Sequence, residues 1–240
     1  INDWKIRAIA LTSSADNKYE YIELIESEIV EDNEINDYLK ETVDTEHIIR
    51  MTYGQVGSSS FKPEFGFEIA NNSLDSDITL IENGIEEILE GADVVEELRV
   101  ELFTNFVYTY NPTLTFEGSF TYEKSNIEVT SDLVTNQKFN FFKPRLSANY
   151  TINESSTISL IAEYAVEQLD FSDFAASASS TDDRTTSGNN NLAPEKVTSI
   201  TAFYDLRFSE RGSLNMEFYF EEREDIHEEI FLPSGNSPSR

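Results

Sequence analysis

The chain has 240 residues, of which 46 are acidic and 17 are basic, so its formal net charge is −29. Because nucleic-acid binding requires clustered lysines and arginines, this balance excludes nucleic acid as an expected partner. Cysteine is absent, which excludes disulfides, thiolate metal sites and cysteine nucleophiles. No run of about 18 apolar residues occurs, so no transmembrane helix is expected.

The first half of the chain alternates between strand patterns and polar stretches. Residues 4–11 form the first predicted strand. The acidic residues 14–46 could form a short helix or a continuing extended strand, and in either case they are interpreted as a solvated loop. Alternation resumes at residues 47–53 and, after a turn rich in Gly and Ser, at residues 61–69. Residues 70–95 are predicted to be a second long polar connection.

The second half repeats the pattern with clearer strands. Residues 97–110 alternate with period two, and their apolar face carries Leu98, Val100, Leu102, Phe106, Tyr108 and Tyr110. A tight turn leads into residues 114–123, and a polar connection is predicted at residues 124–138. Further strands are predicted at residues 145–152, 157–167, 199–208 and 213–221, the last two joined by the turn at Ser209–Gly212.

Every predicted strand has one apolar, aromatic-rich face, which must contact either a protein core or lipid. The strands are about 10 to 15 residues long, at or beyond the usual range for globular proteins, which favours lipid. Short turns alternate with long polar connections along the chain. This layout is typical of bacterial outer-membrane barrels, in which the short side is periplasmic and the long side extracellular.

Three segments carry a family resemblance. QLDFSDF at residues 168–174, DDR at 182–184 and GNNNLAPE at 188–195 resemble, in order and spacing, the barrel of TonB-dependent outer-membrane receptors. The G-N-x-x-L-x-P-E motif of that family is matched by Gly188, Asn189, Leu192, Pro194 and Glu195. The resemblance implies a barrel of about 22 strands filled by an N-terminal plug. It also implies a bacterial outer-membrane location and uptake of a scarce solute such as a siderophore, cobalamin or a sugar, driven by the TonB complex.

The chain also departs from that family. Neither a plug, a TonB box nor a closing aromatic strand is found, and about nine strands are counted. The expected fold is therefore all-β: an antiparallel, up-and-down transmembrane β-barrel of which residues 1–240 form one partial domain. The expected partners are outer-membrane lipid, the remainder of the barrel and its plug, the TonB complex through that plug, and a small-molecule ligand.

The expected ligand-binding residues lie in one extracellular loop: Phe171, Phe174, Asp182, Asp183 and Arg184. For the two phenylalanines, packing of the loop on itself is the alternative, and for the aspartates it is simple solvation or Ca²⁺ binding. Acids on the lumen face are expected to pair with arginines, and this set comprises Glu97, Glu101, Glu117 and Glu163 with Arg99, Arg145 and Arg207. No metal site, cofactor or catalytic residue is predicted, because no nucleophile or metal-ligand motif occurs.

Two other functions remain open from the sequence. The first is a soluble or surface-exposed β-sandwich that acts as a binding or adhesion module, with the apolar faces forming a dry core. The second is an outer-membrane hydrolase with an acid at the rim of its barrel. The missing nucleophile arrangement disfavours the hydrolase, so the chain is expected not to be an enzyme.

Overall fold

The computed structural model describes residues 3–25, 34–82, 85–87, 94–130, 134–174, 177–179, 184–186 and 192–227. Nine long strands dominate these residues: β1 Asp3–Ile25, β2 Glu34–Val56, β3 Phe61–Glu82, β5 Val94–Asn111, β6 Leu114–Thr130, β7 Val134–Asn153, β8 Ser156–Val166, β11 Lys196–Ser209 and β12 Gly212–Glu224. Three short strands and one 3₁₀ helix complete the elements: β4 Ile85–Glu87, β9 Ser177–Ser179, β10 Arg184–Thr186 and the helix Phe171–Asp173.

The nine long strands form one antiparallel sheet in which each strand pairs with the next long strand along the chain. β4 pairs with residues 80–82 at the end of β3, and β9 pairs with β10 separately. The predicted all-β, up-and-down arrangement of about nine strands is confirmed. Among the described residues, no helix has the length and apolar character needed to cross a membrane.

Four short turns lie on one rim of the sheet, at residues 57–60, 112–113, 154–155 and 210–211. In two of them an asparagine side chain accepts a hydrogen bond from the backbone amide two residues later. Asn111 accepts from the Thr113 amide and Asn153 accepts from the Ser155 amide, each at 2.9 Å. These side chains hold the chain in a tight turn at the end of a strand. The four predicted short turns are confirmed, whereas the predicted long connection at residues 124–138 is wrong, because only residues 131–133 separate β6 from β7.

The strands are much longer than the sequence pattern indicated. β1 and β2 pair from Asp3 with Val56 to Ile25 with Glu34, so most of residues 14–46 is sheet. The extended-strand alternative is confirmed for these residues, and the loop interpretation is wrong. Most of residues 70–95 and 124–138 is likewise strand. These segments form strands because backbone hydrogen bonds between neighbouring strands do not depend on apolar side chains. In water, polar side chains are tolerated on both faces of a strand.

Charged side chains also pair across this extension. Lys18 Nζ lies 2.6 Å from Glu41 Oε1, on directly opposite residues of β1 and β2. The hydrogen bond and charge of Glu41 raise the pKa of Lys18 above its ordinary value. Because both side chains are exposed, the pair helps to fix the register of the strands rather than adding much stability.

The two faces of the sheet differ in chemistry, and we name them the apolar face and the polar face. The apolar face is exposed and includes Trp4, Tyr53, Leu102, Tyr122, Phe142, Leu146, Leu160, Ile200 and Phe218. The polar face buries polar groups instead, including Thr52, Glu68, Asn72, Glu97, Glu123 and Ser125. Among the described residues, no second sheet covers the apolar face, so the sandwich alternative is wrong for this part of the chain.

Aromatic rings line the apolar face near both ends of its band. Trp4 stacks on Tyr53 with ring centroids 4.6 Å apart, beside the rim of short turns. At the opposite side, Phe120 stacks on Phe142 at 6.1 Å, next to Tyr122. Such aromatic girdles mark the two interfaces of a membrane barrel.

Candidate solute pathway on the polar face

The centre of the polar face is a connected set of ion pairs. Arg50 on β2 lies 2.9 Å from Glu68 on β3, and Arg99 on β5 contacts the other oxygen of Glu68 at 3.5 Å. The Arg50 guanidinium also lies 4.4 Å from the centroid of the Phe103 ring. One buried carboxylate thus balances two guanidinium groups from the strands on either side.

Gly66 makes room for this arrangement. A Cβ built on Gly66 would lie 2.3 Å from the Phe103 ring and 2.7 Å from the carbonyl oxygen of Met51. The Phe103 ring is held against Arg50, and the Met51 carbonyl belongs to the backbone of a paired strand. Neither group can move easily to make room for a Cβ atom. Glycine is therefore required at this position by close approach of the ring to the backbone.

A second ionic group joins the next three strands. Lys143 on β7 contacts Glu123 at 2.5 Å and Glu101 at 3.0 Å. Glu101 and Glu123 are directly opposite each other on β5 and β6, where two carboxylates repel. Lys143 relieves this repulsion, so the cation that Glu101 uses is a lysine and the predicted pairing with an arginine is wrong. Glu163 does pair with Arg145, at 3.4 Å.

Glu97 is the most deeply buried acid of the polar face, with 4% of its surface exposed. Its two carboxylate oxygens accept hydrogen bonds from Ser125 Oγ at 2.6 Å and from Asn72 Nδ2 at 3.1 Å. The predicted ion pair of Glu97 with an arginine is absent from the described residues. Two neutral donors therefore satisfy this carboxylate.

The segment that follows β8 folds onto the polar face. Gln168 Oε1 accepts a hydrogen bond from Arg99 Nη1 at 2.9 Å, and Asp170 accepts one from the Ser172 amide at the start of the 3₁₀ helix. Behind these contacts lies a hydrophobic cluster of Leu74, Val95, Ile127, Val129, Leu169 and Phe174. We call residues 167–174 the inner strap, because they lie across β3, β5 and β6 on the polar face.

The inner strap encloses a chamber of about 200 Å³ between itself and the sheet. Its lining includes Glu97, Arg99, Glu123, Lys143, Gln168 and Phe171. A wider cleft of about 400 Å³ lies nearer the short turns and is lined by Lys5, Arg7, Lys62, Glu64, Asn105 and Arg145 among others. Together the two cavities place positively charged, negatively charged and uncharged polar groups along one face.

The predicted ligand-binding residues have different outcomes. Phe171 and Phe174 lie together, with ring centroids 6.4 Å apart, and Phe174 is completely buried in the hydrophobic cluster. Arg184 pairs through its backbone with Ser179 in the small β9–β10 sheet. Asp182 and Asp183 lie outside the described residues. Ligand binding by all five residues stays a prediction.

The motif residues are partly described. Leu192 packs against the hydrophobic cluster, Pro194 lines the chamber, and Glu195 accepts a hydrogen bond from Arg223 Nη1 at 2.8 Å. Gly188 and Asn189 lie outside the described residues. The second half of the motif therefore leads from the hydrophobic cluster into β11.

Sequence reasoning missed Lys143 and Gln168 as members of the polar face. Lys143 and Arg145 are two residues apart on β7, so strand parity already placed both on one face. Within the part of the chain that the structure describes, no group of three or more His, Asp or Glu side chains is arranged to hold a metal ion.

The family whose description reads "TonB dependent receptor-like, beta-barrel" matches residues 3–239. The chain belongs to this family. The predicted resemblance and the bacterial outer-membrane location are thereby confirmed. The apolar face of the family barrel contacts lipid, and the polar face is its lumen side.

Solved structures show the same fold at low sequence identity. The copper transporter OprC matches with a TM-score of 0.60 and 8% identity, over 90% of this chain and 39% of that one. The ferric-catecholate import receptor Fiu from E. coli K12 matches with 0.65 and 9%, over 92% and 38%. The ferric yersiniabactin uptake receptor FyuA from Yersinia pestis matches with 0.57 and 10%, over 91% and 34%.

The chain thus spans less than two-fifths of the length of these three proteins. No curated protein sequence matches the chain.

Proposed function

We propose that the chain is one part, residues 1–240, of the barrel of a TonB-dependent receptor that takes up a scarce solute across the outer membrane. The polar face forms part of the path of that solute, and the rest of the barrel and a plug complete the receptor. The TonB complex acts through the plug. The role is uptake and not catalysis.

The observation that carries this proposal is the inverted distribution of polarity in the sheet. Leu102, Tyr122 and Phe142 expose 58%, 48% and 56% of their surfaces on the apolar face, whereas Glu68, Glu97 and Glu123 are buried on the polar face. A water-soluble protein would bury the first set. A barrel wall with lipid outside and a wet lumen inside requires this inverted arrangement.

The polar face supports transport of a polar solute in a second way. Its charges are already paired across strands, as in Arg50 with Glu68 and Lys143 with Glu123. Paired groups offer hydrogen bonds to a passing solute without presenting a large unbalanced charge that would retain it.

Solute uptake can be tested while the solute is still unidentified. Cells that carry the full-length receptor are grown beside cells that lack it and beside cells that carry it but lack TonB. We expect mass spectrometry of the spent medium to show at least one small molecule that only the first cells deplete. Depletion that persists without TonB, or no difference between the three cultures, would contradict the proposal.

A further inference from the structure

The chamber beneath the inner strap is lined by polar groups that the fold buries. Glu97 on β5 and Glu123 and Ser125 on β6 expose 4%, 8% and 3% of their surfaces, and all three line the chamber. Buried charged groups around a cavity are costly unless a polar molecule fills that cavity. The chamber is therefore suited to water or a polar ligand and not to an apolar one.

Some hydrogen-bonding capacity of this lining is unused. Arg99 Nε is buried and has no acceptor among the described residues. Gln168 Oε1 accepts from Arg99, whereas the Gln168 amide nitrogen donates to no group in the described part of the chain. Each carboxylate oxygen of Glu97 accepts one hydrogen bond and can accept another. A ligand that uses this capacity must both donate and accept.

The charges around the chamber disfavour an ionic ligand. Four carboxylates and three cationic groups surround it: Glu68, Glu97, Glu101 and Glu123 with Arg50, Arg99 and Lys143. A further acid in the lining, Glu167, lies 3.8 Å from Arg223. The excess of carboxylates repels an anion, while Arg99 and Lys143 in the chamber wall repel a cation. A neutral ligand with hydroxyl groups avoids both repulsions.

The remaining lining is apolar and the chamber is small. Its apolar members are Ile127, Val166, Leu169, Phe171 and Pro194. The volume of about 200 Å³ is, at roughly 30 Å³ per water molecule, the space of about seven waters. One sugar ring with its hydroxyl groups fits this space, and a chelate built from several rings does not.

We propose that the chamber binds one neutral sugar ring, and that the solute of the receptor is therefore a saccharide. The Phe171 ring covers an apolar face of the sugar. Glu97 accepts from one hydroxyl group, and the Gln168 amide and Arg99 Nε donate to others. The inference rests on the proposed uptake function and names the class of its substrate.

Binding is measured on the full-length receptor in an amine-oxide detergent, which carries no sugar headgroup. The variant is Phe171→Ala, and the matched control is Phe139→Ala. Both rings pack against the same hydrophobic cluster, but only Phe171 lines the chamber. The neutral probes are glucose, galactose, mannose, xylose and N-acetylglucosamine, and the charged probes are glucuronate, galacturonate and glucosamine. Saturation-transfer NMR detects binding, and titration gives the dissociation constant.

We expect at least one neutral sugar to bind the unmodified receptor and Phe139→Ala equally. Phe171→Ala should bind that sugar at least about tenfold more weakly, because the ring that covers the sugar is lost. The two uronates should bind the unmodified receptor at least about tenfold more weakly than that sugar, because each adds a carboxylate to an acidic site. Absence of binding by all five neutral sugars, or equal binding to the two variants, would overturn the proposal. A uronate or glucosamine that binds as tightly as the best neutral sugar would also overturn it.

A second variant, Gln168→Glu, distinguishes contact with the sugar from loosening of the inner strap. Glutamate keeps an oxygen that accepts from Arg99 and adds a charge to that hydrogen bond, so hydrogen exchange of residues 167–174 should not become faster. It removes the amide donor, so we expect sugar binding to weaken about fivefold. Unchanged sugar binding would show that the sugar does not contact Gln168, and the proposal would fail.

The depletion of solutes from the growth medium separates this inference from the proposed function. A solute that is depleted only with TonB and contains no sugar ring would overturn the chamber proposal while uptake stands. Depletion that persists without TonB would overturn the uptake function itself.

Discussion

At the scale of single residues, the polar face shows which contacts strand parity can and cannot reveal. Parity placed Glu97, Glu101 and Glu163 on one face, and the structure confirms that placement. Parity could not show that Glu97 uses Asn72 and Ser125 instead of an arginine, because the donors depend on the register between strands. A shift of the register by two residues preserves the face and changes every partner.

Phe174 illustrates the same limit and offers a test. Its ring is completely buried in the hydrophobic cluster beneath the inner strap. In the full-length receptor, we expect Phe174→Ala to weaken docking of the strap by about 3 to 5 kcal/mol, because a buried aromatic ring is replaced by a cavity. The backbone hydrogen bonds between the strands do not involve the Phe174 ring, so the free energy of global unfolding should change little.

Hydrogen exchange of the amides at residues 167–174 measures this docking. Phe171→Ala is the matched control, since Phe171 is only partly buried and should have the smaller effect. Equal protection in Phe174→Ala and in the unmodified receptor would show that the ring does not hold the strap in place.

At the scale of strands, the sequence predicted where the membrane part lies and missed how far the strands continue. Tyr53, Tyr110 and Ile152 marked the short turns correctly because apolar alternation ends there. Beyond the band, acidic residues such as Asp16, Asp44 and Asp75 replaced the apolar residues, and the loss of contrast between faces was interpreted as a loop. A strand that contacts water on both faces has no alternation of apolar and polar residues from which it can be recognised.

The assignment of faces can be tested within one strand. Leu146 and Ser147 are adjacent on β7, and Leu146 is 46% exposed on the apolar face, opposite Gly118. In the full-length receptor, we expect Leu146→Arg to destabilise the barrel by about 2 to 4 kcal/mol, because a charge is placed in the hydrocarbon. Ser147→Arg faces the lumen near Glu117 and should be almost neutral.

Urea unfolding of both variants in lipid vesicles gives the comparison. The two substitutions add the same side chain to the same strand, so the difference between them reports the face alone. Similar midpoints for the two variants would contradict the assignment of the apolar face to lipid.

At the scale of the whole molecule, the described sheet is open. β1 and β12 each pair with only one long strand, so two long backbone edges have no partner within the described residues. The count of about nine strands was predictable from apolar alternation. The identity of the strands that close the barrel was not, because pairing with another segment leaves no local pattern in the edge strand.

The open edges predict how the chain behaves alone. In detergent, we expect the isolated 240-residue chain to form mixed oligomers, since each edge can pair with another copy and unpaired backbone groups are costly in an apolar medium. The full-length receptor, with its edges paired, should be a monomer. Size-exclusion chromatography with light scattering distinguishes the two, and a single species of 27.3 kDa from the isolated chain would contradict the prediction.

The extension of β1 and β2 beyond the apolar band also sets the ionic environment on that side of the sheet. From residue 12 to residue 25, β1 continues for about 45 Å at the usual rise per residue. Asp16, Glu20, Glu41 and Asp44 are held in fixed positions along it, accompanied by Lys18. Within a Debye length of about 8 Å, water beside these strands is enriched in cations and depleted of anions. An anion therefore approaches these strands faster as the ionic strength of the medium rises, and a cation approaches more slowly.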